Sequence, residues 1–138
     1  MRSRETLIRL KRFQVDEKRR KVTQTEMMVA DFERMSSDLD REIASEEQRA
    51  GINDPAHFAY PTYAKAAMQR RDNLRRSADD LRLQLDEARA ELAEAIEDLK
   101  KVEILEDRET ARDRVAVNAR DQAEMDRIAA RSFGGATA

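Results

Sequence analysis

The chain has 138 residues, 41% of them charged and only 4% aromatic, with three glycines, two prolines, no cysteine and a formal net charge of −2. That is the composition of long helices rather than of a compact globule, and disorder explains neither the scarcity of Gly and Pro nor the seven-residue repeat described below. The lack of Cys excludes a disulfide framework and thiolate chemistry. No stretch approaches the roughly 20 apolar residues of a membrane span, and residues 1–21 lack the apolar core of a signal peptide, so a cytoplasmic location is expected.

The first predicted element is a helix over residues 4–50. Ile8, Val15, Val22, Val29 and Ile43 form one seven-residue ladder, interrupted by Ser36. Leu7, Met28, Phe32, Met35 and Leu39 fill the adjoining positions, which makes the helix amphipathic along its length. On this spacing Met28 and Met35 are expected in the core beside Phe32 and Leu39, although a Met27–Met28 pair also suits an adaptable binding face.

Residues 51–61, GINDPAHFAYP, break the pattern. Gly51 suits a left-handed helix cap, Asp54-Pro55 starts a turn, and Pro61 fits the first turn of a following helix. So short a connection between two long helices implies an antiparallel hairpin. Phe58, Tyr60 and Tyr63 gather at this turn, either to staple it or to anchor a partner, and the sequence leaves both readings open.

The second helix is expected over residues 62–131. Ala64, Ala67, Leu74, Ala78, Leu81, Leu85, Ala88, Leu92, Ala95, Leu99 and Val102 recur at alternating three- and four-residue steps, with only Arg71 out of character. This is a coiled-coil seam. It slips between Val102 and Ala111, leaving a thin stripe of Ala111, Val115, Met125, Ile128 and Ala129. The fold class is therefore all-α: two long helices in an antiparallel coiled-coil hairpin, a single domain over residues 1–132, with residues 133–138 as a disordered tail.

Folding about residue 56 sets the basic run Arg2, Arg4, Arg9, Lys11, Arg12, Lys18, Arg19, Arg20 and Lys21 beside Glu91, Glu94, Glu97, Asp98, Glu103, Glu106 and Asp107. Such pairs choose register more than they stabilise. The same register exhausts the first helix near residue 108 of the second, so the second helix overhangs at its C-terminal end by about 30 Å. An isolated helix of that length is marginal in water and orders against another protein. The alanine-rich seam buries little area, so self-association or docking into a larger assembly is expected to supply more.

Nothing in the chain points to catalysis. His57 is the sole histidine and has no second strong ligand at usable spacing, so no metal site is expected. No phosphate-binding glycine motif is present, hence no nucleotide cofactor. Carboxylates on solvated helix faces lack the desolvation that would make one a general acid or base. The basic run faces acidic residues, which argues against nucleic-acid binding.

Leu7–Lys11, the hairpin architecture, and above all Leu105-Glu106-Asp107-Arg108 followed by Arg120-Asp121-Gln122, Met125-Asp126, Ala129 and Arg131 resemble the FliJ family of the flagellar type III export apparatus. The resemblance implies a non-enzymatic stalk whose termini-bearing end enters the hexameric export ATPase and promotes its assembly and activity, while another surface contacts the cytoplasmic domain of the membrane export gate. It implies Arg120, Asp121, Gln122, Met125, Asp126 and Arg131 as the ATPase contact and Arg70, Leu74, Ser77 and Leu81 as the gate contact. Export chaperones are further implied partners, and the membrane is reached only through partners, at the cytoplasmic face of the flagellar base. The alternatives are a generic coiled-coil chaperone or spacer for secreted clients and a nucleic-acid-binding hairpin arm.

Overall fold

The computed structural model describes residues 2–136. Helix α1 spans Arg2–Ala50 and helix α2 spans Thr62–Ala136. Interhelical partners run in opposite directions along the two, Arg4 with Glu106, Lys18 with Glu91 and Asp40 with Arg71, so the all-α hairpin is antiparallel. Helix α2 takes in residues 133–136, which the sequence assigns to the tail. Thr137, Ala138 and the side chain of Arg2 lie outside the described residues.

The connection is closed by backbone bonds in the places the sequence marks. Gly51 has φ 69°, and the Gly51 N–H donates to Gln48 O and the Ile52 N–H to Glu47 O, each at 3.3 Å. These are the paired bonds of a Schellman cap, which satisfies carbonyls that the ending helix leaves open. Two tight turns follow, His57 N–H to Asp54 O at 3.0 Å and Tyr60 N–H to His57 O at 3.1 Å. Pro61 then stands just before α2, its carbonyl accepting from the Lys65 N–H at 3.1 Å.

Two compact units divide the chain. In the first, Phe13–Ile96, every seam position expected on α2 turns inward, with Ala64, Ala67, Ala78, Leu81, Leu85 and Ala88 buried. Arg71 keeps its place in the seam because its guanidinium bonds Asp40 at 3.0 Å and Asp72 at 3.1 Å. On α1 the ladder Val15, Val22, Val29 and Ile43 is buried, and Ser36, the interruption, is buried as well. Val22 packs with Leu85, Ala88 and Leu92; Leu39 and Ile43 pack with Ala67, Met68 and Leu74. Full burial of a Val or Leu contributes about 1.5–3 kcal/mol, so the buried seam residues, these clusters among them, supply the unit's apolar stabilisation.

The second column of α1 differs from the expectation. Met28 and Met35 are exposed, and the inward positions three residues after each ladder residue belong to Lys18, Thr25, Phe32 and Leu39. A two-helix interface is only two residues wide per heptad, so a third apolar column has nowhere to go. Lysine fits the inner column because its methylene stem covers apolar surface while the ammonium reaches water. Thr25 fits because its hydroxyl donates to the Lys21 carbonyl at 2.8 Å.

One flank of this unit is an ion-pair row in which α1 supplies the acids: Glu26 with Arg89, Glu33 with Arg82 and Asp40 with Arg75. The basic run contributes Lys18 and Lys21, which share Glu91 at 3.0 and 3.6 Å and hold its carboxyl below the ordinary value, chiefly through the Lys18 hydrogen bond. Glu94 and Glu97, expected to face that run, sit at outward heptad positions and form no ion pair among the described residues.

In the second unit, Met1–Arg12 with Glu97–Ala138, no described side chain is buried. The half-buried positions on α1 are Arg4, Ile8 and Lys11, while Leu7 is exposed. On α2 the three- and four-residue steps do not slip after Val102: Leu99, Val102, Glu106 and Glu109 keep them, with carboxylates in place of aliphatic side chains. Arg4 reaches Glu106 at 3.3 Å and also pairs with Glu109, whose hydrogen bond raises the guanidinium pKa. Here a polar clasp replaces a core.

Arg4→Gln is expected to speed hydrogen exchange of the amides at 97–109 by up to about fivefold and to leave 78–88 unchanged. Ala88, 1% exposed, has no room for growth, so Ala88→Leu is expected to destabilise the hairpin by about 1–3 kcal/mol in thermal melts followed by circular dichroism.

Candidate functional site

Helix α2 continues past Glu109, the last residue paired to α1, and every described side chain from Thr110 to Gly134 is exposed. Val115, Val117, Met125, Ile128 and Phe133 are the large apolar residues left in water there. Helical geometry sorts the residues of this segment into faces at 100° per residue. Ala111, Val115, Gln122, Met125, Asp126, Ala129 and Phe133 share one face. It points away from the side on which Leu99, Val102, Glu106 and Glu109 meet α1.

The six residues implied as an ATPase contact therefore do not form one patch. Gln122, Met125 and Asp126 lie together, with Gln122 Nε2 donating to Asp126 Oδ1 at 3.2 Å. Arg120 and Arg131 lie on the opposite side, in line with the seam, and Asp121 falls between. Arg127 joins Arg120 and Arg131 on the seam side and is tied to Glu124 at 3.1 Å.

The unit Phe13–Ile96 carries the other candidate surface, an open groove of about 450 Å³. Met35, Leu39 and Leu74 give it an apolar floor; Asp38, Glu42, Arg70, Asn73, Ser77 and Tyr63 form its polar sides. Arg70, Leu74 and Ser77 of the implied gate contact are thus brought together. Leu81 is 7% exposed, held in the helix interface, where it supports α2 from within. Met35, exposed against expectation, lines this groove.

Two tyrosines of the turn region are structural. Tyr60 is buried and its hydroxyl donates to Met68 Sδ at 3.4 Å. Tyr63 Oη donates to Glu42 Oε2 at 2.7 Å, tying the start of α2 to α1 and raising the phenol pKa above its ordinary 10.0. Phe58 remains exposed.

Among the described residues no group of three or more His, Cys, Asp or Glu side chains is placed to hold a metal, and no helix is long and apolar enough to cross a membrane. The family model described as flagellar FliJ protein matches residues 3–137. No curated protein and no solved structure matches the chain.

Because Tyr63 binds its proton more tightly folded than unfolded, its contribution to stability is complete below pH 10.0 and is lost as pH rises through the raised folded value. Tyr60 shifts in the same direction, mainly through burial. The melting temperature is expected to fall as pH rises above 10.0, and Tyr63→Phe should make that fall shallower.

Proposed function

This chain belongs to the flagellar FliJ protein family, a non-enzymatic component of the flagellar export apparatus, and from that premise we propose that it is the stalk of the export ATPase. It promotes assembly and activity of the ATPase ring and links the ring to the membrane export gate. The observation that carries this reading is the exposed segment of α2. An isolated helix of this length is marginal in water, and a solvent-exposed extension gains stability from an intermolecular contact.

The two-sided distribution of the contact residues supports a ring over a flat partner. A surface laid against Gln122, Met125 and Asp126 leaves Arg120 and Arg131 in solvent, whereas subunits surrounding the helix reach both sides. By binding several subunits at once the stalk favours the closed hexamer, and it changes turnover without hydrolysing nucleotide itself. Arg70, Leu74 and Ser77, backed by Leu81, form the gate contact. Export chaperones are further partners, and the site of action is the cytoplasmic face of the inner membrane at the flagellar base.

The test is the ATPase rate and hexamer yield of the cognate export ATPase with the full chain and with residues 110–138 removed, which keeps the Arg4 clasp. Full-length protein is expected to stimulate both, and the truncated form neither. Replacing Gln122 and Met125 with charged residues should cut stimulation by about tenfold or more with helicity unchanged. Stimulation that survives both changes would falsify the ring contact.

A further inference from the structure

Of the three aromatic residues at the turn, Tyr60 and Tyr63 are occupied by internal bonds and Phe58 is not. Phe58 is 96% exposed, the most exposed large apolar side chain among the described residues. A single exposed apolar residue needs no explanation. This one stands in a cap of exposed Pro55, Ala56, His57 and Ala59, and in a backbone with little freedom.

That rigidity is built from five bonds. Asp54 Oδ1 accepts from the Ala56 N–H and His57 Nδ1 from the Ala59 N–H, both at 3.0 Å. The two tight turns lock the peptide around them, and Phe58 occupies the outer corner of the second turn, just after His57. Tyr60 then pins the turn to α2. The His57 ring stacks on Phe58 with centroids 4.7 Å apart and planes 23° from parallel, which favours one phenyl orientation. Accepting at Nδ1 places the imidazole proton on Nε2, leaving that N–H as a donor for another molecule.

The geometry points to a docking anchor: Phe58 enters an apolar pocket of a protein partner, with a carbonyl or carboxylate at the pocket mouth accepting from His57 Nε2–H. Pre-ordering of an aromatic side chain lowers the entropy lost on binding, which is the property of a hot spot. The chemistry of the cap selects a protein over a lipid surface. No Lys or Arg lies between Arg49 and Lys65, and the one charge in residues 51–61, Asp54, is committed to the turn. Membrane-surface segments carry the opposite pattern, cations around several large apolar residues.

The partner is the cytoplasmic domain of the export gate, an assignment that rests on the reading of this chain as the link to that gate. The groove lined by Tyr63, Arg70 and Leu74 belongs to the same unit as the turn, so one partner reaches both surfaces.

The experiment titrates the purified cytoplasmic domain of the cognate gate into the full chain, into Phe58→Ala and Phe58→Leu, and into a groove variant, Leu74→Asp. ATPase stimulation is measured in parallel, with co-sedimentation on phosphatidylglycerol vesicles. Phe58→Ala is expected to weaken gate binding by about tenfold or more, Phe58→Leu to recover most of it, and both to keep helicity and ATPase stimulation. Gate binding that is unaffected by Phe58→Ala but lost in Leu74→Asp overturns the anchor and leaves the link standing. No gate binding by the wild-type chain, with ATPase stimulation intact, overturns the anchor and the link together. Phe58-dependent sedimentation with vesicles overturns the choice of a protein pocket.

Discussion

Two helices with no third layer can bury apolar surface only along the line where they meet, and that line is narrow. Alanines at 64, 67, 78 and 88 of α2, with Ser36 on α1, let the backbones approach closely. The close approach has a cost in area, because each alanine removes little surface from water. It also decides what stays outside. Two columns per helix fit the interface, so Met28 and Met35 remain in solvent although their spacing would suit an interior. Ion pairs then line one flank, and the groove around Met35, Leu39 and Leu74 lies on the other.

Stability is unequally spread as a result. Both apolar clusters of buried residues belong to the unit Phe13–Ile96. In the other unit Arg4, Lys11, Glu106 and Glu109 share the seam with Ile8, Leu99 and Val102, and surface-accessible ion pairs such as those of Arg4 contribute little. Polar seams of this sort hold register without holding tightly. A segment that must exchange internal neighbours for external ones is better served by such contacts than by a core of leucines.

The seam of α2 was legible in the sequence because nearly all of its positions are apolar, so periodicity alone located them. Helix α1 was half legible. Its first column is aliphatic and reads cleanly, but its second begins with Lys11, Lys18 and Thr25, whose polarity hides them from any hydrophobic pattern. Glu106 and Glu109 escaped for the same reason, which made a continuous geometry look like a slipped one. The turn was readable from Gly51 and the two prolines, since their backbone preferences are local. The groove was not, because it joins Met35 and Glu42 to Tyr63 and Ser77 across the interface, and the division of the three aromatics depended on which hydroxyls found partners. The overhang followed from counting residues. Its opposed faces depend on the helix phase at Glu109, where the seam ends behind polar side chains.

That opposition bears on the order in which an assembly is put together. A helix recognised on one side can be added or removed sideways at any stage. If opposite sides such as Gln122 with Met125 and Arg120 with Arg131 were both engaged by an encircling partner, as proposed, the helix would have no lateral exit once the circle closed. It would then have to be threaded through from its free end or be present while the circle formed around it. Withdrawal then requires either axial passage, one 1.5 Å residue rise after another, or a break in the surrounding ring.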